Sequence, residues 1–537
     1  MKLLNLIKTK QLILLTFAVT TFTFFSCQKD FGDINKSWDA KVYEPTIPAL
    51  FNDIVASLQE PGGTGNLLTS WIYQNSQQAA IYANSGFRMD NFAAAYWNNY
   101  YNALANSRQL DNLIAKSPNA AKYNNVKAMA KTLMAYKTLY ATMIYGDMPY
   151  SEAGRAFLEG SDFLRPKYDT QAEIMKAALA DLKFAVDNLS TSADQISLAT
   201  GDVLLGNNIA MWTKFANSLR LRYALVIQAK DAATSNAVIA EALTKPLLSP
   251  TEEVSLYPAK VTNYVNDRGG WYRGNSYVRM GSTMWSAMSS TNATDGSGIY
   301  DLRCKIFFEP NSTKAWTPYP QAPSSSTPTE VGNSDNNDPY AEARLTKYDV
   351  TGKYLYAPLN VFYVVDKNIP RIIITGHEIS LLKAEIHNRG IGGVAANQAT
   401  AKTFYEEGVS ESVKYWYKIA NGSSIWTVGK PAAAPTPAEL DGMLKNAGVA
   451  YSSTAATGLS QIYKQLWIAL FHQPIEGWTL ARRTNYATPN VALATSSPGY
   501  NIFRIIYPQS EIDGNGANWT SVTGGTDSPN KKLWFMQ

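Results

Sequence analysis

Four residues that could carry chemistry crowd into IYGDMPYSEA at 144–153: Tyr145, Asp147, Tyr150 and Glu152. A carboxylate pair among aromatic rings is what glycoside hydrolysis uses. One group serves as acid and the other as base or nucleophile, roughly 5–9 Å apart across the sugar bond. The same stretch also reads as the end of a helix. Gly146 is placed for a C-cap, Pro149 forbids continuation, and Asp147 is placed to accept from backbone amides of the turn. Nothing in the spacing puts Asp147 and Glu152 on opposite sides of a substrate. The turn-forming reading stands, and no catalytic residue is assigned.

Other routes to catalysis fare no better. The histidines are His377, His387 and His472. The His377–Glu378 pair lacks the second histidine of a zinc-protease helix. His377 and His387 lie almost three turns apart on one expected helix, too far to share a metal unaided, and read as helix-surface or capping residues. SDNNDPY (334–340) and EIDGNGAN (511–518) gather oxygen ligands but fit no EF-hand loop, and plain turns account for them. No nucleophile elbow or phosphate-cradling glycine loop is present. The expectation is no enzyme, no cofactor and no metal.

Binding is better provided for. The chain carries 32 Tyr and 13 Trp against 19 Phe, and rings with one polar edge suit wet recognition surfaces as well as cores. Sugars offer apolar C–H faces rimmed by hydroxyls, so a receptor needs flat rings with amides, carboxylates or guanidinium groups alongside. NYVNDRGGWYRGN supplies Tyr264, Asn266, Asp267, Arg268, Trp271, Tyr272 and Arg273, with Gly269 and Gly270 permitting tight turns. Arg88, Asp90 and Asn91 in SGFRMDNF make a second expected wall, and Trp316 with Tyr319 a third. The bland alternative for each is a loop with one buried anchor.

The first residues say where such a surface would be displayed. Lys2, Lys8 and Lys10 precede an apolar run from Leu12 to Phe25, which ends at Ser26-Cys27. This describes a secretory signal over residues 1–26, too short and threonine-rich for a membrane span of about 20 apolar residues. A cysteine at the cut resembles a bacterial lipobox, in which Cys27 takes diacylglycerol and palmitate, although Phe24 stands where leucine is usual. Cys304 is the only other cysteine, which excludes a disulfide-stapled fold. Residues 27–45 read as a polar tether. Residues 46–537 read as one body held at a membrane surface, not spanning it. Three of the +5 formal charges belong to the leader, and without a basic stripe nucleic-acid binding is not expected.

The elements that must carry these loops are helical. Hydrophobic residues make up 45% and charged ones 17%, a folded composition. Met129, Leu133, Tyr136, Tyr140 and Met143 form one apolar stripe; Ile174, Ala178, Leu182, Val186 and Leu189 form another, opened by a capping box from Thr170 to Glu173. Further helices are predicted at 68–82, 92–116, 206–229, 374–389, 396–418, 458–471 and 474–484. RIIIT (371–375) and VFYVV (361–365) are predicted to pair briefly as strands. The expected fold class is mostly α, a tetratricopeptide-like helical-hairpin scaffold with minor β and long irregular loops, concentrated at about 250–360.

Several stretches together resemble the SusD/RagB family, in its SusD-like subgroup. They are SCQKDFGDIN (26–35), YWNNYYNALANSRQLDNLI (96–114), IYGDMPYSEA (144–153), PKYDTQAEIMKAALADLKFAVDNL (166–189), WTKFANSLRLRYAL (212–225) and DLRCKIFFEP (301–310). EISLLKAEIHNRG (378–390), FYEEGVSESVKYW (404–416), EGWTLARRTNYATP (476–489) and RIIYPQSEID (504–513) continue it. The order is kept from the leader almost to the end, and only 311–360 lacks a family pattern.

The resemblance implies a non-enzymatic, cell-surface lipoprotein of the outer membrane. Such a protein caps a TonB-dependent barrel transporter and delivers a nutrient to it. The nutrient is foremost a glycan, with peptides in other branches. The resemblance also marks Gly146, Pro149, Trp212, Arg220, Arg482 and Arg483 as parts of structural motifs. A helical lipoprotein serving only protein–protein assembly is the competing reading, with the aromatic loops as contact patches.

Overall fold

The helices begin where side chains can take up orphan amides. At Thr170 the hydroxyl accepts from Glu173 N at 3.3 Å while the Glu173 carboxylate accepts from Thr170 N at 2.9 Å, the expected capping box. Asn208, Asp231, Thr375, Asn397 and Thr436 cap other helices in the same way. The computed structural model describes residues 45–62, 72–82, 90–262, 264, 277–311, 313–321, 323–324, 326–328, 355–360, 362, 366–426, 430–487 and 502–537.

The longer helices are α1 (Ile47–Ala56), α2 (Asp90–Lys116), α3 (Asn124–Tyr145), α4 (Gln171–Asn188), α5 (Ile209–Ile227) and α6 (Ala232–Leu243). They continue as α7 (Ser282–Met288), α8 (Gly376–Arg389), α9 (Gln398–Gly422), α10 (Pro437–Lys445), α11 (Ala455–Ala469), α12 (Pro474–Thr484) and α13 (Gln509–Thr523). Successive helices from α2 to α6 pack on one another, as do α8 with α9 and α11, giving the helical-hairpin scaffold. No described helix is long and apolar enough to cross a membrane.

The predicted stripe on α3 is buried throughout, and so is most of the rest of that helix. It is therefore a central helix, not an amphipathic surface one.

Charge is locked between the helices. Arg222 on α5 meets Glu378 on α8 and Glu476 on α12, with a 2.5 Å contact to Glu378. Arg483 pairs with Glu385 at 2.7 Å, and Trp212 donates to Asp202 at 2.7 Å. Arg220 pairs with Glu241 at 2.6 Å, and the Arg482 guanidinium sits 3.5 Å from the Trp478 ring centroid. His377 is buried on α8, not at its surface; burial and the Arg303 charge hold its imidazole down to about 3, hence neutral.

Strands are few and form antiparallel pairs: β1 (Ala80–Tyr82) with β5 (Tyr277–Arg279), β2 (Met148–Pro149) with β3 (Tyr168–Asp169), and β4 (Glu253–Leu256) with β6 (Arg371–Thr375). RIIIT thus pairs with EVSL, and of VFYVV only Phe362 is among the described residues. All five β6 residues are buried, and Gly376 N donates to Glu252 O at 2.7 Å, which seats the ladder at the start of α8.

Two other expectations are corrected. The stretch predicted as a helix at 68–82 contains, among its described residues, one helical turn (Tyr73–Asn75) and then β1. Gln77 breaks the helix by taking φ +54°. Conversely, EIDGNGAN is helical, inside α13, with a kink at Asn515 that explains why its Gly and Asn content reads as turns.

IYGDMPYSEA is a joint. Gly146 has φ +84°, and a Cβ there would lie 2.6 Å from Leu533 Cδ2. Asp147 Oδ1 accepts from Gln171 N at 2.8 Å, so it serves the first turn of α4 and not the local turn. Asp169 accepts from Tyr150 N and Ser151 N at 2.9 Å each, and Glu152 from Lys167 N at 3.0 Å. Both carboxylates of the opening motif are thus engaged by backbone amides.

Candidate functional site

The β1–β5 ladder is short, but its register decides what meets. Ala80 faces Arg279, Ile81 faces Val278, and Tyr82 faces Tyr277. Because the strands are antiparallel, the segment that begins at 83 and the one that ends at 276 leave from the same end of the ladder. These segments carry Arg88 and the NDRGGWYRGN run. Two predicted walls therefore share a root.

The third wall joins the same ladder. Tyr319 N donates to Met280 O at 2.8 Å, Met280 N to Ala357 O at 2.8 Å, and Ser282 N to Tyr319 O at 2.9 Å. Tyr319 lies edge-on to Tyr356, with centroids 4.8 Å apart. Tyr356 in turn donates to Pro328 O at 2.7 Å, tying together the two described ends that flank 329–354.

The residues between the single turn at Tyr73 and β1 supply a hub of side-chain amides. Gln74, Asn75, Gln77 and Gln78 are all buried. Asn75 accepts from Ile502 N at 2.8 Å and Gln77 donates to Ala487 O at 2.9 Å, so they hold both ends flanking 488–501. Gln77 also accepts from Thr283 at 2.7 Å, Gln78 donates to Trp467 O at 2.8 Å, and Gln321 donates to Ala79 O at 3.2 Å. An amide both donates and accepts, which suits it to tying several backbones at once. The amide run YQNSQQ (73–78) was the available sequence signal for this hub; its apolar flanks instead suggested a helix.

The individual predicted residues fall as follows. Tyr264 is half-buried and packs on the main core. Asn266, Asp267, Arg268, Trp271, Tyr272, Arg273 and Arg88 lie outside the described residues, as does Cys27. Asp90 and Asn91 open α2, and their side chains are outside the described set. Trp316 retains 8% of its surface and packs within the core. Its indole lies so close to Gly296 that a Cβ there would come within 2.8 Å of Nε1.

A groove of about 450 Å³ lies nearby in sequence, lined by Tyr257, Pro258, Ile369, Pro370, Lys418 and Ile419 among others. Burial and the Glu253 carboxylate push the Tyr257 phenol up, so it stays neutral; it donates to Glu253 at 2.8 Å. No group of three or more metal-ligating side chains occurs among the described residues.

A scaffold of packed helical hairpins that gathers the ends of several ring-bearing segments at one hub defines a helical-repeat architecture. Residues 39–508 match the SusD-like family, described as starch-binding and associating with the outer membrane, and the chain belongs to this family.

Solved structures share the fold. One is a chitin-binding protein, 21% identical over 91% of this chain and 100% of its own, with TM-score 0.70. Another is a chitin-binding SusD homolog from Flavobacterium johnsoniae, 22% identical over 91% and 98%, with TM-score 0.65. A third is a SusD homolog from Bacteroides fragilis, 19% identical over 91% and 100%, with TM-score 0.66. No curated protein matches the chain.

Proposed function

We propose that this chain is a lipid-anchored, surface-exposed receptor that binds an oligosaccharide without cleaving it and delivers it to a TonB-dependent outer-membrane transporter. Cys27 carries the lipid. The ligand surface draws on Tyr264, Asn266, Asp267, Arg268, Trp271, Tyr272 and Arg273, together with Arg88 and Asn91. Trp316, packed in the core, contributes as an anchor of the same region.

The observation that carries this reading is the shared root. The segments bearing the first two walls leave one end of one ladder, and the third is bonded to it. Flat rings together with guanidinium and amide groups suit the apolar faces and hydroxyl rims of a sugar. Two structural relatives are chitin-binding proteins, which makes β-linked N-acetylglucosamine oligomers the first ligands to try, ahead of starch oligomers.

Calorimetric titration of the purified chain with both oligomer series tests the reading, with chromatography of the mixture to detect cleavage. Saturable binding and intact sugar are expected. No response to any glycan would favour the assembly-only reading, and shortened products would overturn the non-enzymatic one.

A further inference from the structure

A cavity inside the scaffold has the features of a second, chemically different site. It measures about 30 Å³, room for the centres of one or two water-sized groups, between the end of α1, α2, α3 and β6. None of the glycan-site residues named above lines it.

Lys137, on α3, is 8% exposed. Its ammonium donates to Ser57 O at 2.7 Å and to Asn99 Oδ1 at 2.5 Å, both neutral acceptors. An ammonium has three donors, so one remains. No ion-pair partner for Lys137 occurs among the described residues, and no neighbouring charge offsets its burial.

Arg371 lines the same cavity and is 9% exposed. Its Nη1 pairs with Glu60 and its Nη2 donates to Tyr140 at 2.9 Å, while its Nε is buried without a partner. Arg371 thus has Glu60 as its ion-pair partner and feels the Glu476 carboxylate as well, whereas Lys137 has no carboxylate against it among the described residues. Two N–H groups remain to be satisfied.

We propose that this cavity binds one small monovalent anion, of the chloride or bromide class, between Lys137 Nζ and Arg371 Nε. The anion supplies a counter-charge for Lys137 and an acceptor for Arg371 Nε together. The space for one or two water-sized groups suits a halide.

Protonation sets the pH dependence. Burial alone pulls the Lys137 amine down from its usual 10.5 to about 7. With the cavity unoccupied, the unfolded chain binds this proton more tightly, so the group costs stability as pH falls from 10.5 towards 7. A bound anion requires the ammonium, so it offsets that cost at low pH. Its affinity falls about tenfold per unit above pH 7. The facing groups are Glu60 after α1, Tyr96 and Tyr100 on α2, Tyr136 and Tyr140 on α3, and Arg371 on β6, with the Glu476 carboxylate of α12 acting on Arg371, Tyr136 and Tyr140. Burial pushes Tyr100, Tyr136 and Tyr140 up, so they stay neutral across this window.

Thermal melting at constant ionic strength tests this, comparing sodium chloride and bromide with gluconate at about pH 6 and pH 9. A saturable halide-specific rise on the order of 2 °C is expected at pH 6, and a smaller one at pH 9. Bromide-soaked crystals should show an anomalous peak in the cavity. Halide and gluconate melting alike, a halide effect equal at both pH values, or an empty cavity in the bromide data would each overturn the proposal. Lys137→Met should abolish the halide response. If that variant does not fold, Arg371→Lys, which keeps a charge for Glu60 and removes Nε, must weaken it; an undiminished response refutes the site.

Discussion

In the helical scaffold, several buried arginines are locked to carboxylates: Arg222 with Glu378 and Glu476, Arg483 with Glu385, Arg303 with Asp301, Arg504 with Asp527. In the hub the buried ties are neutral amides: Asn75, Gln77, Gln78 and Gln321 hold backbone groups. An ion pair in a low-dielectric interior is unforgiving, since losing either partner strands a charge. An amide is more tolerant, because either of its ends can be satisfied by any backbone. The scaffold is therefore built to keep one arrangement of helices. The hub is built to fasten the ends of several segments at one place.

The largest expected effect comes from breaking the scaffold's side of this contrast. Glu378→Ala leaves Arg222 with its remaining, longer contact to Glu476 at 3.4 Å. A loss of about 3–5 kcal/mol is expected in denaturant unfolding, with glycan binding lost alongside the fold. A loss below about 1 kcal/mol would mean that the network contributes no more than a surface pair.

Removing rings should do the reverse. Trp271→Ala combined with Tyr272→Ala is expected to weaken glycan binding by about 2 kcal/mol, roughly 30-fold by calorimetry, with an unchanged melting temperature. A fall in melting temperature with no change in affinity would place both rings in the core and sink the proposed surface.

How far the sequence foretold these regions follows the same division. Helical periodicity and caps are local signals, so Thr170, the α3 stripe and α8, α9, α11 and α12 were legible within a few residues. The hub was not. Its bonds join Asn75 to Ile502, Gln77 to Ala487 and Gln78 to Trp467, separations that no window along the chain contains. The β6 partner was missed for the same reason, since EVSL lies more than a hundred residues before RIIIT. α13 was missed because glycines and Asn515 lower helix propensity locally, while Asn515 and Asn518 are held from outside by the carbonyls of Arg165 and Pro166.

A smaller effect separates strain from bonding at the hub. Gln77 sits at φ +54°, unfavourable for a residue with a side chain. Gln77→Gly relieves that conformation but loses the contacts to Thr283 and Ala487; Gln77→Ala loses the contacts and keeps the strain. The alanine variant should be the less stable by roughly 1 kcal/mol. Both should weaken glycan binding severalfold, because the ends flanking 488–501 are released. Wild-type affinity in both would show that the hub does not support the ligand surface.

The smallest effect concerns Asp147, where a catalytic acid and a structural acceptor make opposite demands. Its Oδ1 accepts from Gln171 N, one residue after Thr170 takes up the Glu173 amide, so two orphan donors of the same helix start have separate acceptors. A structural acceptor needs an oxygen, not a charge. Asp147→Asn keeps that oxygen and should melt within about 0.5 kcal/mol of wild type, whereas Asp147→Ala should cost about 1 kcal/mol. Neither should alter glycan affinity, because the joint lies on the scaffold side of the division. If the asparagine variant lost as much as the alanine one, the negative charge at the start of α4 would be the active ingredient, acting on the helix dipole. Repeating both melts in high salt would then separate the two, since only the dipole interaction is screened.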